Sequence, residues 1–284
     1  MTQPSDSLPV VNLRPARGWA ALDLSSLWAY RELIYFLTWR DIKVRYKQAV
    51  LGIGWAILQP VMNMIIFTVI FSRLAGLKPD AGISPDLYPI FSFAALLPWQ
   101  LFQGALQRGS ISLVGNANLL TKVYFPRLAI PLAAVVAGVV DFLIALVVLA
   151  GLMIYYRVPL TLNALWLIPL TLLAALSALA VSLWLSALNV QYRDIQQMVP
   201  FLLRAWEYAS PVAYSLDVIP ASGAWRLVYA LNPMVGVIQG FRWALLGAQP
   251  PDQLIWISVG VVFVLLISGL FYFRRMERTF ADTI

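Results

Sequence analysis

The sequence predicts an all-α membrane protein with six transmembrane helices, and its composition and long uncharged stretches carry this prediction. Of the 284 residues, 61% are hydrophobic and 12% are charged, and the mean hydropathy is +0.78. Soluble domains carry about 25% charged residues, so too few charges are present here to cover a water-soluble globule. An ordinary soluble enzyme and a disordered chain are therefore excluded.

Six segments are predicted to span the bilayer, which takes about 20 apolar residues per helix. Five of them are long runs without Lys, Arg or Glu, and among these only one contains an Asp, which is Asp141. The fifth span along the chain is less apolar, because it contains Arg204 and Glu207. The spans form a membrane domain over 49–274 and are expected at about 49–72, 87–108, 128–156, 160–189, 197–212 and 253–273.

Residues 1–48 are predicted to form a polar cytosolic tail and then an amphipathic helix from Leu27 to Lys47. Residues 1–26 lack the basic, apolar and small-residue order of a signal peptide. A helix with one apolar face and basic residues toward its end lies in the membrane interface. The alternative is the packed face of a small soluble helix. The apolar positions at helical spacing are Leu27, Tyr30, Leu33, Ile34 and Leu37.

Short apolar stretches separated by prolines lie between the fifth and sixth spans. Leu227–Tyr229 and Val235–Leu246 are predicted as short helices that break at Asn232-Pro233. Irregular backbone at membrane depth is tolerated only where protein or water satisfies its polar groups. The segment is therefore predicted as short extracytoplasmic gate helices, either in a re-entrant hairpin or in a helical loop on the membrane surface.

The distribution of basic residues predicts that both termini, including a tail over 275–284, lie in the cytoplasm. Of the 20 Lys and Arg residues, fourteen fall on the side of the termini and five on the other side, with Arg204 inside a span. Cytoplasmic loops carry the excess of Lys and Arg in membrane proteins. The net charge of +7 is therefore explained by topology, and no nucleic-acid partner is predicted.

The residue types that are absent exclude several kinds of catalysis. The sequence has no His and no Cys, so it can form no imidazole base, thiol nucleophile or Cys/His zinc site. The phosphate-binding motif Gly-x-x-x-x-Gly-Lys-[Ser/Thr] does not occur, and no lysine follows a glycine. No catalytic residue and no metal site are predicted, and any ATP hydrolysis must come from a partner subunit.

Charged residues inside the predicted spans indicate function or structural pairing. Asp141 could line a pathway, bond to a neighbouring helix, or form an ion pair across a subunit interface. Arg204 and Glu207 are three residues apart, so they can neutralise each other on one helix face. An ion pair is favoured over a substrate site for these two residues.

Two short cytoplasmic loops, 116–127 and 189–195, mix apolar and charged side chains. Exposed apolar residues beside charges indicate a docking surface, and the alternative is that they lie on the lipid.

The 11 Trp, 12 Tyr and 14 Phe residues are explained mainly by aromatic belts at the two membrane interfaces. Some of the rings could instead stack on sugars in a passage.

Five motifs, taken in order, resemble the permeases of type-2 ABC transporters that export polysaccharides, which are the membrane subunits of O-antigen, capsule and teichoic-acid exporters. The likeness runs from about Trp28 to Arg275. The motifs are Arg45-Tyr46-Lys47 with Leu51-Gly52, Trp55 and Pro60; Asn118-Leu119-Leu120 with Lys122-Val123, Phe125-Pro126-Arg127 and Pro131; Asn189-Val190 with Tyr192-Arg193-Asp194; Ser210-Pro211-Val212 with Tyr214; and Leu231-Asn232-Pro233-Met234 with Arg242.

The resemblance implies a homodimer in the bacterial cytoplasmic (inner) membrane, bound to two copies of an ATP-binding subunit that holds ATP and Mg. The cargo would be a polysaccharide linked to a polyprenyl diphosphate. The residues implied to couple to the ATPase are Asn118, Leu119, Lys122, Phe125, Arg127, Tyr192, Arg193 and Asp194. Those implied to form the lipid-diphosphate entrance are Arg40, Lys43, Arg45 and Lys47, and those of the translocation pathway or gate are Trp55, Asp141, Tyr214, Asn232 and Arg242.

Other interpretations remain open. Positive-inside topology and lipid headgroups account for the charges of the entrance without a substrate. The runner-up function is a type-2 ABC permease for a drug or small lipid, although the long amphipathic start and the Arg193-Asp194 loop favour the polysaccharide. A membrane-bound enzyme of glycan assembly would need paired carboxylates or a His on an aqueous loop. Arg204 and Glu207 depart from the family pattern.

Overall fold

The structure of the protein, a computed structural model, describes residues 24–47, 53–218, 224–251, 253, 255–277 and 280. Several sequence-based predictions lie outside the described residues. They concern the tail before Leu24, the start of the first predicted span with Leu51 and Gly52, and the last residues of the C-terminal tail.

Every regular element in the described residues is a helix, in agreement with the predicted all-α class. The α3 helix continues into a wider π-helical stretch, Thr68–Leu74, and short 3-10 helices cover Pro85–Leu87, Leu162–Trp166 and Leu216–Val218. The eleven α-helices of this part of the chain are α1 (Leu24–Ala29), α2 (Arg31–Lys47), α3 (Ile53–Phe67), α4 (Tyr88–Gly115), α5 (Ala117–Lys122), α6 (Ala129–Tyr155), α7 (Leu167–Gln191), α8 (Ile195–Tyr208), α9 (Ala224–Ala230), α10 (Pro233–Leu246) and α11 (Ile255–Met276).

Four helical segments of the described chain are long and apolar enough to cross a bilayer, and they make the protein a multi-pass membrane protein. These segments are Gly54–Leu74, Ala129–Tyr155, Leu162–Gln191 and Ile255–Met276. The other two predicted spans correspond to α4 and α8. The α4 helix has 28 residues and is about 42 Å long, but several polar side chains lower its hydropathy. The α8 helix has 14 residues, which is about 21 Å.

The two described ends of the chain lie at the same end of the helix bundle, here named the terminal end. Leu27 and Phe280 belong to one buried cluster, which also contains side chains from both predicted docking loops. The Arg127 guanidinium donates to the backbone carbonyl of Glu277, just after α11. The loops that follow α4 and α7 therefore lie beside the C-terminal turn of α11.

The opposite end of the bundle is closed by the segment that follows α8 and by α10. The Tyr88 hydroxyl, at the start of α4, donates to the Ala213 carbonyl at 2.5 Å. The Ala81 backbone N–H donates to a carboxylate oxygen of Asp217 at 3.3 Å. Because α7 ends at the terminal end, α8 carries the chain from that end to the opposite one.

The α4 helix is the centre of the bundle and packs against both α6 and α7. Its residues 90–99 are buried without interruption. Small residues allow α4 and α7 to approach closely, as is common between membrane helices. A Cβ atom at Gly109 would lie 2.7 Å from the Cβ of Ser182, so a residue without a side chain is needed at this contact.

We expect the substitution Gly109→Ala to destabilise the protein, because the added methyl group forces α4 and α7 apart. Overpacking of this kind costs about 1–3 kcal/mol, which lowers the midpoint of thermal unfolding in detergent. Gly151→Ala in α6 is the matched control, since nothing lies within 4 Å of its added Cβ. Adding Ser182→Gly to Gly109→Ala should restore part of the loss. Equal midpoints for Gly109→Ala and Gly151→Ala would contradict this expectation.

The α2 helix lies against the bundle with its leucine-rich side. Leu37 is buried in the cluster at the terminal end, and Leu33 and Ile34 pack against that cluster. The predicted apolar stripe therefore faces protein, whereas a second, aromatic side is the one available to a membrane interface. Tyr30 is the exception in the stripe, because it is exposed. The exposed aromatic residues of this region are Trp28, Tyr30, Tyr35, Phe36 and Trp39.

Several sequence-based boundaries change in the structure: α8 is Ile195–Tyr208 rather than 197–212, α10 begins at Pro233 rather than Val235, and two further changes concern α4 and α9. Arg108, which the sequence analysis counted with the connection after the second span, lies inside α4, because this helix continues to Gly115. The helix predicted to begin at Leu227 begins instead at Ala224. The break at Asn232-Pro233 has a local cause. Asn232 caps α10 by accepting a hydrogen bond from the Met234 backbone N–H at 3.1 Å, and proline suits the first helical position.

Candidate functional site

A polar cavity of about 390 Å³ lies between α2, α3, α4 and α6. Volumes of about 300–1,000 Å³ are usual for small-ligand sites. The charged residues of its lining are Arg45, Arg108 and Asp141, and Trp55 contributes to its wall. The cavity thus brings together Arg45 and two residues that the sequence analysis assigned to the pathway.

The cavity lies around the middle of the bundle, and its charged residues on α4 and α6 lie toward the terminal end. Asp141 is about 18 Å along α6 from its first residue, Ala129. Arg108 is about 10 Å before the last residue of α4, Gly115. Charged groups at this depth of a membrane protein need partners or line a polar pathway.

Asp141 interacts with three side chains from two other helices. The Arg45 guanidinium and the Tyr46 hydroxyl, both on α2, donate to its carboxylate. Nη1 of Arg108, on α4, lies 3.5 Å from Oδ2 of Asp141. The sequence leaves open whether Asp141 lines a pathway, bonds to a neighbouring helix or pairs across a subunit interface. The structure shows that it bonds to neighbouring helices of the same chain.

This cluster carries more positive than negative charge. Asp141 offers one negative charge to two arginines, so one guanidinium charge is not neutralised within the cluster. Burial, together with the bond to Asp141, raises the pKa of Tyr46 to about 12, so its hydroxyl stays protonated and acts as a donor. A cavity with two guanidinium groups and one carboxylate is suited to an anionic ligand, because arginine binds phosphate oxygens in a bidentate manner.

Two glycines leave room for the Arg108 side chain. A Cβ atom at Gly104 would lie 3.1 Å from Nη1 of Arg108, and one at Gly138 would lie 2.7 Å from Nη2. Gly138 precedes Asp141 by one turn of α6, so the residue that makes space for the guanidinium stands beside the residue that pairs with it. A larger residue at position 138 would push Arg108 away from Asp141.

Glutamine side chains line the uncharged part of the cavity. Gln59 belongs to α3, and Gln100, Gln103 and Gln107 belong to α4. Residues spaced by three and four lie on one face of a helix, so α4 presents a polar stripe to the cavity. Pro60 also lines it and has no N–H to donate within α3, which leaves a backbone carbonyl one turn earlier without its helical partner.

The other residues predicted for the entrance lie outside this cavity. Arg40 pairs with its neighbour Asp41 at 2.8 Å, and Lys43 and Lys47 are exposed. Of the four predicted entrance residues, all of which the structure describes, Arg45 alone lines the cavity.

The predicted docking residues divide into a group that holds the loops and a group that is exposed. Phe125 is buried and Leu119 packs against the cluster at the terminal end, while Arg127 bonds to Glu277. Tyr124, which the sequence analysis did not select, is 81% exposed. The exposed members of the predicted set are Asn118, Lys122, Tyr192, Arg193 and Asp194.

Asn232 and Tyr214 belong to a hydrogen-bond network at the opposite end of the bundle. Oδ1 of Asn232 accepts a hydrogen bond from the Trp206 indole at 2.9 Å, and its Nδ2 donates to the Ser210 hydroxyl at 2.9 Å. The hydroxyl groups of Tyr214 and Tyr229 lie 2.9 Å apart. The network joins α8, α9 and α10.

Arg242 is fully buried in the same region. Its guanidinium donates to the carbonyls of Val212 at 2.9 Å and Tyr214 at 3.1 Å. It also lies 3.6 Å from the centroid of the Phe91 ring, an arrangement that favours a cation. Arg242 therefore holds the segment after α8 against α4, and it closes the opposite end of the bundle.

Arg204 and Glu207 interact through their charges, but they are not in salt-bridge contact. The ion pairs formed by the described residues do not include these two side chains. Arg204 is exposed, whereas Glu207 is half-buried, so the two groups face different surroundings although they are one helical turn apart.

Sequence reasoning missed Arg108, Gly138 and the glutamine stripe. Arg108 was counted as a loop charge because the uncharged run ends just before it. The glutamine stripe could have been found in the sequence, since Gln100, Gln103 and Gln107 interrupt an otherwise apolar span at helical spacing. Nothing in the sequence indicated a role for Gly138, because the need for a glycine there depends on a side chain of another helix.

Residues 32–246 match the profile of a family described as ABC-2 type transporter. The chain belongs to the ABC-2 type transporter family. It is therefore a membrane permease of an ABC transporter, which confirms the predicted family and a transport role rather than an enzymatic one. Membership in this family implies an ATP-binding partner subunit.

Relatives of the permease include several exporters. The O-antigen export system permease protein RfbA of Myxococcus xanthus is 32% identical over 262 residues, which cover 91% of this chain and 97% of the relative. The polysialic acid transport protein KpsM of Escherichia coli is 25% identical over 255 residues, or 84% of this chain and 91% of the relative. The inner membrane transport permease YadH of Escherichia coli K12 is 25% identical over 213 residues, or 72% of this chain and 81% of the relative. The permease is thus related to O-antigen and polysaccharide exporters.

Proposed function

We propose that the protein is the permease subunit of an exporter that moves an O-antigen-like polysaccharide, linked to a polyprenyl diphosphate, across the bacterial cytoplasmic membrane. The observation that carries the proposal is the 32% identity to an O-antigen export permease over 91% of the chain. The positively charged cavity supports it, since a lipid diphosphate is an anion that arginine binds well.

In this proposal the chain crosses the membrane six times, through α3, α4, α6, α7, α8 and α11. The terminal end of the bundle, with both chain termini, lies in the cytoplasm, as the excess of Lys and Arg on that side indicates. The α9 and α10 helices form the extracytoplasmic gate. Their bonds to the segment after α8, through Asn232 and Arg242, support a closed gate in this conformation.

Two copies of the permease and two copies of the ATP-binding subunit, which holds ATP and Mg, form the working exporter. The exposed Lys122, Tyr192, Arg193 and Asp194 at the terminal end receive the movement of the ATP-binding subunits. The α3 helix exposes a line of apolar residues that a second copy or the lipid covers, and the passage runs between the two copies. These residues are Ile57, Leu58, Met62, Ile65 and Ile66.

The diphosphate enters from the cytoplasmic leaflet. Exposed basic residues of α2, such as Lys43 and Lys47, attract the headgroup to the surface of the protein. Arg45 and Arg108 then bind its phosphate oxygens inside the cavity. The phosphates replace the Asp141 carboxylate as the partner of the two guanidinium groups. The export step begins with this exchange, because it releases the C-terminal turn of α2 from Asp141 on α6.

Deletion of the gene in the source bacterium tests the proposal. Surface polysaccharide is expected to disappear and lipid-linked polysaccharide to accumulate in the cytoplasmic leaflet, as measured by surface labelling and by extraction of the lipid fraction. Arg45→Gln should reproduce the deletion with a loss of export of at least about tenfold, since a charge-assisted bond contributes about 1.5–3 kcal/mol. Arg31→Gln is the matched control, because it removes an exposed basic residue of the same helix that has no part in the proposed entrance.

Two outcomes would count against this function. Normal surface polysaccharide in the deletion strain would remove the polysaccharide as cargo, and a gain of sensitivity to a drug in that strain would favour the small-molecule exporter instead. Equal losses for Arg45→Gln and Arg31→Gln would mean that general surface charge, rather than the cavity, determines export.

A further inference from the structure

The uncharged half of the cavity has a chemistry of its own. Four amide side chains line the cavity together with the two arginines, and each amide both donates and accepts hydrogen bonds. A diphosphate offers acceptor oxygens alone, so it cannot use the amide oxygens. A ligand with hydroxyl groups can use both.

The positions of the glutamines are continuous with the phosphate-binding end. Gln107 precedes Arg108, and Gln103 and Gln100 follow one another away from it along α4. The distance from Arg108 to Gln100 along the helix is about 12 Å, which is long enough for a sugar ring beside a diphosphate. The indole of Trp55 is on the wall of the same cavity, and aromatic rings stack on the apolar faces of sugars.

Two polar atoms of the residues that line the cavity are left without partners inside the protein. Nε2 of Gln100 and Nε of Arg108 are buried and form no hydrogen bond within the described structure. Unpaired buried donors are unfavourable, and polar side chains in membrane helices are retained mainly where they have a function. A rotation of the Gln100 and Arg108 side chains toward the cavity would let a polar ligand accept from these two donors.

The size of the cavity limits how much of the cargo it can hold. A volume of about 390 Å³ falls in the lower part of the range for small-ligand sites, so it fits a sugar with a phosphate group and not a polysaccharide chain. A site of this size can read the end of the cargo that carries the lipid, whereas the rest of the chain must pass elsewhere.

From these four observations we infer that the cavity binds the junction between the diphosphate and the first sugar of the cargo, with the glutamines of α3 and α4 and Trp55 on the sugar. The inference rests on the proposed function and deepens it. The permease distinguishes a lipid that carries a sugar from the bare lipid diphosphate, and thereby avoids transport cycles on an empty carrier.

The test uses the permease reconstituted in nanodiscs with its ATP-binding subunit, and it measures ATP hydrolysis against the concentration of two probes. The probes are undecaprenyl diphosphate and the same lipid with one hexose attached. The hexose-bearing lipid is expected to reach half-maximal stimulation at a concentration about tenfold lower than the bare lipid diphosphate does, because its sugar forms about two additional hydrogen bonds with the cavity. In the double variant Gln103→Leu, Gln107→Leu, both probes are expected to act at the same concentration.

Gln239→Leu is the matched control, because Gln239 lies on α10 and lines a different, smaller pocket. It should keep the tenfold preference. Equal responses of the wild-type complex to both probes would overturn the sugar-reading inference, with the proposed function intact, and this comparison needs no variant to fold. Stimulation by neither probe would contradict the proposed function itself. A preference that survives in the double variant would show that the glutamines do not read the sugar.

Discussion

Asp141→Asn is expected to lower both the stability of the permease and its export activity. The variant keeps the size of the side chain but removes the negative charge that two arginines share. Breaking a buried ion pair by removing one partner costs about 3–5 kcal/mol. The Asp141 side chain is 30% exposed, so solvent screening reduces the expected loss to about 1–3 kcal/mol.

Thermal unfolding in detergent measures this loss, and surface labelling of the polysaccharide measures export. We expect the midpoint to fall by roughly 5 °C and export to fall at least about tenfold. Asp86→Asn is the matched control, since Asp86 is an exposed acid at the opposite end of the bundle. Adding Arg108→Gln to Asp141→Asn should recover part of the stability, because it removes one of the unpaired charges, but not the export. Wild-type stability and export in Asp141→Asn would show that the cluster has no role.

Charge reversal at both docking loops, Lys122→Glu with Arg193→Glu, is expected to separate the permease from its ATP-binding subunit. Both side chains are exposed, so their replacement leaves the fold intact. Like charges placed across an interface cost several kcal/mol, and the yield of co-purified ATP-binding subunit should fall at least about tenfold. The ATPase activity that copurifies with the permease should fall in proportion.

The matched control is Lys78→Glu with Arg157→Glu, which reverses two exposed basic residues at the opposite end of the bundle. This pair should retain the partner in full. If the loop variant copurifies with the ATP-binding subunit as well as the control does, the exposed loop residues do not form the docking surface. They would then lie on lipid, which is the alternative that the sequence leaves open.

Much of the fold could be predicted from the sequence because the main signals are local. The length and hydropathy of a segment determine whether it can cross a bilayer, and each of the four candidate spans found in the structure overlaps a predicted one. The break between α9 and α10 was also readable, since Asn followed by Pro is a strong start signal for a helix. The length of α4 could not be predicted, because the uncharged run ends at Arg108 whereas the helix continues to Gly115.

The candidate site was only partly predictable. Arg45, Trp55 and Asp141 were selected for separate reasons, and nothing in the sequence indicated that they line one cavity. Arg45 and Asp141 are 96 residues apart, so their contact depends on how α2 lies against α6. Arg242 was predicted for the pathway or gate, and the structure shows it buried and bonded to the carbonyls of Val212 and Tyr214.

The sequence by itself determined that this is a membrane protein, where its four longest apolar helices lie, and that it has no His or Cys chemistry, because composition and the length of apolar runs are properties of the chain itself. Only the tertiary structure decided which charges are neighbours. Whether Arg108 is a loop charge or a ligand-binding group depends on the space that Gly104 and Gly138 leave for it and on the carboxylate of Asp141. These residues lie on two helices, and their contact arises only when the helices pack.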